Sequence, residues 1–580
     1  MRRSALALLA AALATAPLRA QGTCAPPVSP DTAPTLVLHN ARLHTLAWPD
    51  PAPDGTPAPS APFADGRWLP DATALAIRGD RIIAVGSDEA IIKLVGPRTV
   101  LRNLRGATVL PGAVDAHTHV VELGTSLARI DLVGVRTPEE AIARVVKAAG
   151  RPVPGAWILG QGWDEGAWAD RRLVHDELTR RFPANPVYLR GLHGFAGWAN
   201  RAALDAAGIR RDTPAPVGGT IERAADGTPS GVVRNRAVTL LDDALPAPTD
   251  REAERHWLLG LGALGRAGYT GVHEAGVDAV HLAALRRLAA RCALPLRVHA
   301  LLSARDTAAV RDALARGPDS VERGGATVRA VKAYYDGALG SRGARLLADY
   351  ADQPGTRGIA GAGYGFDSAA VRALMRRGFQ AAIHAIGDAG NREVLDLLAD
   401  VRRGDTTHRD RVEHAQVLAP DDVPRFARLG VIASMQPPHA PEDAPWAGAR
   451  LGAARATGAY AWRSLRRAGA ALALGSDLPG SGFALGYGLH AAVTRQDSLG
   501  VPPGGWQPAE RLTIEEAVRG YTLWAQRAAF AESRRGTLAP GMQADLTVLD
   551  GDPFALASET PARLLRLRPV LVVVGGRVLP

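Results

Sequence analysis

Five side chains in this 580-residue sequence are of the types that hold a divalent cation and work on water beside it. His117 and His119 stand two apart in PGAVDAHTHV. On a strand, residues i and i+2 point to one face, so the two imidazoles converge. His384 lies in AAIHAIGD, His414 in RVEHAQ, and Asp477 directly follows ALALGS. Each stands at or just past the end of a short apolar run. A single strand-end histidine is usually a hydrogen-bonded structural residue. Four of them with a carboxylate, recurring in one context along the chain, indicate a metal site that activates water.

Such residues need a frame that brings strand ends together. Apolar runs read as buried strands at Ala107–Leu110 leading to Val114–His119, Pro186–Arg190, Gly271–Glu274, Leu296–Leu302, Val328–Tyr335, Gln380–His384, Arg411–His414, Val431–Gln436 and Ala471–Gly475. Ala/Leu/Arg-rich helical stretches, such as Leu282–Arg291 and Asn391–Arg402, fall between them. This alternation over some 400 residues predicts a parallel α/β architecture. No GxGxxG or phosphate loop marks a nucleotide-binding doubly wound sheet. A (β/α)8 TIM-type barrel fits the length, and it places polar side chains at the C-terminal ends of its strands around the mouth.

Composition narrows the class. The chain is 47% hydrophobic with a formal charge of +10. The basic residues are interleaved with acids, with no basic run and only 5% aromatic residues, so nucleic-acid binding is not expected. Two cysteines, Cys24 and Cys292, cannot build a cysteine metal site or a disulfide-stapled scaffold. Residues 1–20 read as a cleavable export signal, with a retained anchor as the alternative: Arg2 and Arg3 precede the apolar run Ala5–Pro17, which is short for a membrane span. That predicts an exported protein, bacterial periplasmic or secreted, with no stable membrane span after cleavage. Residues 21–34 read as a linker, residues 48–70 as an exposed loop, and Leu36–Leu46, Ala74–Val85, Ala544–Leu549 and Val570–Val574 as strands at the two ends of the chain. Only three of the 68 Lys+Arg residues are lysines: Lys93, Lys147 and Lys332. A lysine that survives so strong a bias toward arginine marks a place where arginine cannot substitute.

The ordered set PGAVDAHTH, GYTGVHEAG, VKAYYDGALGSRGA, AAIHAIGD, RVEHAQ and ALGSD resembles the amidohydrolase superfamily, most closely its amidohydrolase-3 group of metal-dependent hydrolases. GTLAPGMQADLTVLDGDPF is similar to that group's C-terminal return into a small β-sandwich, whose N-terminal half LVLHNARLHTL and ALAIRGDRIIAVG resemble. The resemblance implies sandwich segments at 35–110 and 531–580 around a barrel at 111–530, with an insertion near 122–250. It implies that His117, His119 and Asp477 bind a first metal and that His384 and His414 bind a second. It implies that Lys332 bridges the two as a carbamate. A desolvated lysine can lose its proton and capture carbon dioxide, which arginine cannot do; the alternative is a lysine paired with Asp336. Asp477 is also the implied general base. The ligand set suits zinc, one or two ions, with iron, manganese and nickel compatible.

The implied reaction is hydrolysis of a non-peptide carbon–nitrogen bond (amide, N-formyl, carbamate or cyclic amide) in a small-molecule substrate. The same ligands would serve ester or lactone hydrolysis, or a non-catalytic barrel that retains metal. Three residues are candidates for substrate contact: Trp163 in the insertion, with packing as the equal alternative; His273 at a strand end, with a place behind the ligands as the equal alternative; and His193, which stands near the place where the group has a histidine and this chain has Phe195. His439, after Gln436-Pro437-Pro438, has two readings: a histidine that faces the mouth and, as the default, a solvated loop histidine. A homodimer is compatible with such a barrel, and no sequence feature fixes it.

Overall fold

The computed structural model describes residues 32–164, 173–191, 196–216, 218–319 and 321–580. The export signal, nearly all of the linker, and His193 lie outside these residues.

Eight parallel strands follow one another in sequence order around a single sheet. They are β1 (Ala113–Thr118), β2 (Tyr269–Val277), β3 (Arg297–Ser303), β4 (Ala326–Tyr334), β5 (Gln380–Ala385), β6 (Arg411–His414), β7 (Ile432–Met435) and β8 (Ala471–Leu474). Their near-continuous apolar runs are buried on both faces, as parallel strands covered by helices require. The last strand returns beside the first. The Asp477 N–H donates to the His117 carbonyl at 2.8 Å, and the His119 N–H donates to the Leu478 carbonyl at 3.0 Å. A side chain at Gly475 would bring its Cβ within 2.5 Å of the His117 nitrogen, so only glycine permits this closure. The architecture is the TIM-type barrel the alternation predicted.

Of the strands predicted along the middle of the chain, Ala107–Leu110 and Pro186–Arg190 do not enter the barrel; the first, as Thr108–Pro111, joins a sheet of the chain ends. The counterpart of Pro186–Arg190, Val187–Gly191, belongs to a six-stranded mixed sheet built within the insertion. That sheet has apolar clusters of its own, one around Leu178, Val187 and Trp198. The insertion leaves the barrel after the helix Val120–Ala128 and returns at the helix Asp250–Arg266. Thr249 and Glu252 form a reciprocal cap that starts the returning helix sharply.

The chain ends meet away from the strand tips that carry the histidines. A five-stranded sheet joins Arg42–Leu43 and Thr108–Pro111 to Leu546–Leu549, Pro569–Val574 and Arg577–Val578. A four-stranded sheet comes from residues 36–103. Leu38, Leu43, Ile77, Val109, Leu546, Val548 and Val573 share one apolar cluster between them. The expected strand Leu36–Leu46 divides at Asn40, whose φ of 53° turns the chain, and its halves join different sheets. The segment 48–70 is largely exposed, as expected of a loop, and is anchored at its start. Trp48 is buried and donates to Glu515, while Arg519 donates to the Trp48 and Pro49 carbonyls. Among the described residues, no helix is long and apolar enough to cross a membrane.

Candidate metal centre

The C-terminal ends of β1, β4, β5, β6 and β8 bring together all six residues named above. His117 is fully buried in β1, and His119 follows its end. Their Nε2 atoms converge on Asp477 Oδ1, at 3.4 and 3.1 Å. Lys332, buried in β4, places Nζ 3.3 Å from His117 Nε2 and 4.9 Å from the centre of the Tyr334 ring. His384 ends β5 with its ring 4.5 Å from that of His414 at the end of β6. The ring centres of His414 and His117 are 4.8 Å apart.

Two turns in unfavourable backbone set this geometry. His414 has φ of 75° and Asp477 has φ of 58°, both in the left-handed region that non-glycine residues rarely occupy. Asp115 holds the second. Its carboxylate accepts the Ser476 N–H at 2.9 Å and the Ser476 hydroxyl at 2.6 Å, which fixes the start of the Asp477 loop against β1.

The electrostatics favour cation ligation. Burial pushes the imidazoles of His384 and His414 well below their usual range, and burial together with Lys332 lowers His117 to about 4. Neutral imidazole is the ligating form. Burial alone would raise Asp477, but His117 and the histidines around it outweigh that and keep its carboxyl well below the ordinary carboxylate range. Burial lowers the Lys332 amine to about 8, against the pull of Glu413 and Asp477.

A divalent cation fits these residues. Both ring nitrogens of His384 are buried without a hydrogen-bond partner, a state that costs energy unless something occupies them. The ligand atoms of His117, His119 and Asp477 lie within 4.8 Å of one another, as do those of His414, His439 and Asp477. Lys332 is not paired with Asp336. That carboxyl accepts backbone N–H bonds from Arg345, Ile386 and Gly387 at 2.8 to 2.9 Å, and burial pushes it up to about 7.

Two of the substrate candidates fall elsewhere. The Trp163 indole is buried in the apolar cluster of the insertion and donates to the Leu189 carbonyl at 2.8 Å; it packs rather than lines a pocket. His273 is 2% exposed, beneath the centre, with Nδ1 2.9 Å from Arg411 Nη1. Its neighbour Glu274 accepts the Val120 and Val121 N–H groups and so holds the first turn after His119.

Of four further neighbours of the centre, three escaped the sequence reading, and for the fourth, His439, the structure favours the mouth over the default loop. His439 does not lie in solvent: its Nε2 is 3.9 Å from Asp477 Oδ2. Glu413 and Arg411 lie inside the barrel, with Glu413 on His117 Nδ1 at 2.5 Å and Arg411 Nε 2.7 Å from Glu413. Asp115 is the third of those missed. Asp115 stands two residues before one ligand and Glu413 one before another, and that adjacency was the available signal.

A parallel barrel with a histidine and aspartate cluster at its strand ends defines a metal-dependent hydrolase. Residues 101–580 match the model of the amidohydrolase family, so the chain belongs to that family. It is 30% identical over 531 residues to the N-substituted formamide deformylase of Arthrobacter pascens, covering 86% of this chain and 93% of that one. It is 33% identical over 510 residues to the protein LONG AFTER FAR-RED 3 of Arabidopsis thaliana, covering 84% and 85%. Among solved structures, an uncharacterized metal-dependent hydrolase from Pyrococcus furiosus superposes with a TM-score of 0.72 at 26% identity, covering 90% of this chain and 99% of that one.

Proposed function

We propose that this protein hydrolyses a non-peptide carbon–nitrogen bond in a small amide, N-formyl, carbamate or cyclic-amide substrate, and that it does so after export from the cytoplasm. The observation that carries the reading is the meeting of His117, His119, Lys332, His384, His414 and Asp477 at one end of the barrel. A formamide deformylase among the relatives supports the substrate class.

His117, His119 and Asp477 would hold one cation; His384 and His414, with a carbamate on Lys332, would hold a second, and zinc suits the set. A cation held there supplies Lewis-acid chemistry, acidifying water and polarising a carbonyl. The chain's own residues do the rest. Asp477, kept ionised by the imidazoles around it, takes a proton from the attacking water and delivers it to the leaving nitrogen. Asp115 and Ser476 keep that carboxylate in place. Glu413 holds His117 so that Nε2 faces the centre.

The test joins metal analysis of the purified protein to a panel of N-formyl, N-acyl and cyclic amides with matched esters. Turnover of amides that vanishes in Asp477→Asn, with metal content retained, supports the reading. Turnover unchanged in Asp477→Asn refutes the mechanism, and esters hydrolysed without amides refute the substrate class. Export is tested by the N-terminus of the mature protein recovered from the cell envelope; an intact Met1 in the cytoplasm would exclude it.

A further inference from the structure

Ser303, the last residue of β3, pairs in register with Lys332 of β4, so Arg305 stands just past the ligand end of the barrel. Its guanidinium carbon lies 4.3 Å from the centre of the Tyr334 ring and 5.5 Å from that of Tyr364. Tyr334 ends β4, and its ring centre is 4.9 Å from Lys332 Nζ and 5.5 Å from the centre of the His384 ring. One tyrosine ring therefore separates the guanidinium from the metal centre. Arg305 Nη2 donates to the Tyr364 carbonyl at 3.4 Å, which with the two rings fixes the position of the group. The residue is exposed, so the rest of its fork reaches solvent at the mouth.

This cation has no counter-charge. Among the described residues, no carboxylate pairs with Arg305. Arginines of the loop after β4 are matched: Arg342 to Asp352 at 2.8 Å and Arg357 to Asp349 at 2.7 Å. Two acids of the mouth are engaged elsewhere. Glu442 accepts the Ser481 and Tyr487 hydroxyls at 2.6 and 3.0 Å, and Glu274 accepts the Val120 and Val121 N–H groups. Glu122, in the first turn of the helix after His119, does not reach Arg305. The Tyr334 hydroxyl, beside Gly276 near the tip of β2, also makes no hydrogen bond among the described residues. Two donors next to the centre thus stand without an acceptor. A guanidinium resting on ring faces leaves its N–H edge free, and that edge matches a carboxylate through two parallel hydrogen bonds.

We infer that Arg305 anchors a carboxylate of the substrate, and that the substrates are therefore N-formyl or N-acyl amino acids rather than neutral amides. The inference rests on the hydrolytic reading above, whose substrate class it narrows. An amino acid acylated on nitrogen carries its carboxyl carbon three bonds from the scissile carbonyl carbon, a reach that suits an anchor one tyrosine ring from the ligands. Arg305 makes and breaks no bond, and it stays charged throughout. An anchor that grips the carboxylate equally before and during the reaction lowers KM and leaves kcat nearly unchanged.

The experiment pairs N-formyl and N-acetyl amino acids with their neutral carboxamides and measures formate or acetate release by metal-loaded wild type, Arg305→Ala and Arg305→Lys, with metal per subunit in each. Wild type should favour the carboxylate member by at least about tenfold in kcat/KM. Arg305→Ala should lose that preference through a KM raised at least about tenfold, with metal content, kcat and turnover of the carboxamide close to wild type. Arg305→Lys, which keeps the charge without the fork, should fall between. Isothermal titration with N-methanesulfonyl amino acids, which have no scissile carbonyl, reads binding without turnover; wild type should bind them at least about tenfold tighter than Arg305→Ala. Equal turnover of both members by wild type, or a preference that survives in Arg305→Ala, would overturn the anchor and leave the hydrolytic reading intact. No turnover of any amide, with Arg305-dependent binding preserved, would remove the hydrolytic reading and leave the carboxylate site. Binding that is the same in wild type and Arg305→Ala would overturn the inference.

Discussion

Glu413 sits on the Nδ1 side of His117, at 2.5 Å, with both side chains fully buried, and so leaves Nε2 free to face Asp477. Arg411 braces the carboxylate from beneath and also donates to the Ala116 carbonyl and the Ser434 hydroxyl, both at 2.7 Å. The chain Arg411–Glu413–His117 is therefore a built support for one ligand. Partners of this kind typically govern 10- to 100-fold in metal affinity or activity. Glu413→Gln should weaken cation binding by about that factor in chelator competition while the fold persists. Glu413→Leu should go further, because it strands a buried guanidinium, at a cost of about 3 to 5 kcal/mol in denaturant unfolding. Wild-type affinity in Glu413→Gln would remove the support role.

Lys332 makes the second test. Its amine is buried beside His117, and burial lowers it to about 8, so a share of neutral amine exists at mildly alkaline pH. Lys332→Ala should lose one cation per subunit, with activity partly restored by added short-chain carboxylates that occupy the vacated space. Lys332→Arg should not be rescued, because the guanidinium stays protonated and fills that space. Full metal occupancy in Lys332→Ala would show that no bridging ligand forms there.

The barrel was largely legible because buried parallel strands write themselves as short apolar runs, and Arg411–His414 falls where the sequence predicts it. His117, His119, His384, His414 and Asp477 were legible for the same reason, being polar groups at the ends of such runs. The support beneath them was not. Glu413 and Arg411 alternate with Val412 in a strand of four residues, and their charges would ordinarily argue for solvent. Only the barrel interior, where each satisfies the other, keeps them in place. For His439 the sequence left mouth and solvent both open, because its position depends on where a helix after β7 starts, which no period in the sequence reports. For Trp163 and His273 the sequence left packing and substrate contact both open: an aromatic ring and an imidazole pack as readily as they bind, and tertiary contacts decide which.

A pH effect on stability arises away from the centre. His256, on the helix Asp250–Arg266, places Nδ1 3.2 Å from His281 Nε2, and Asp278 holds the other nitrogen of His281 at 2.8 Å. Burial, reinforced by His281, Arg255 and Arg129 against Glu252, lowers His256 to about 4. The unfolded imidazole takes up a proton as pH falls through its ordinary value near 6.5, while the folded one does not. The stability this group contributes is thus complete above that value, declines as pH falls toward about 4, and is absent below. His256→Gln should therefore lose less stability than wild type between about pH 7 and pH 5, as read from urea midpoints at each pH. Parallel losses in the two proteins would show that His256 titrates freely when folded.

The last prediction concerns how the C-terminal segment is fastened to the barrel floor. Arg297, at the start of β3, is nearly fully buried between Asp545, at 3.1 Å, and Glu322, at 2.9 Å. Arg535 approaches the same Glu322 at 2.7 Å. Asp545 also accepts the Gly575 N–H at 2.6 Å, so one carboxylate ties the barrel to the two C-terminal strands of residues 546–574. Removing one partner of a buried pair leaves the other charge uncompensated, which typically costs about 3 to 5 kcal/mol. Asp545→Ala should lower unfolding stability by about that amount. Because the floor lies at the opposite ends of the strands from His117 and Asp477, the folded variant should bind its cation with wild-type affinity. A loss of cation affinity without a loss of stability would contradict this division between floor and mouth.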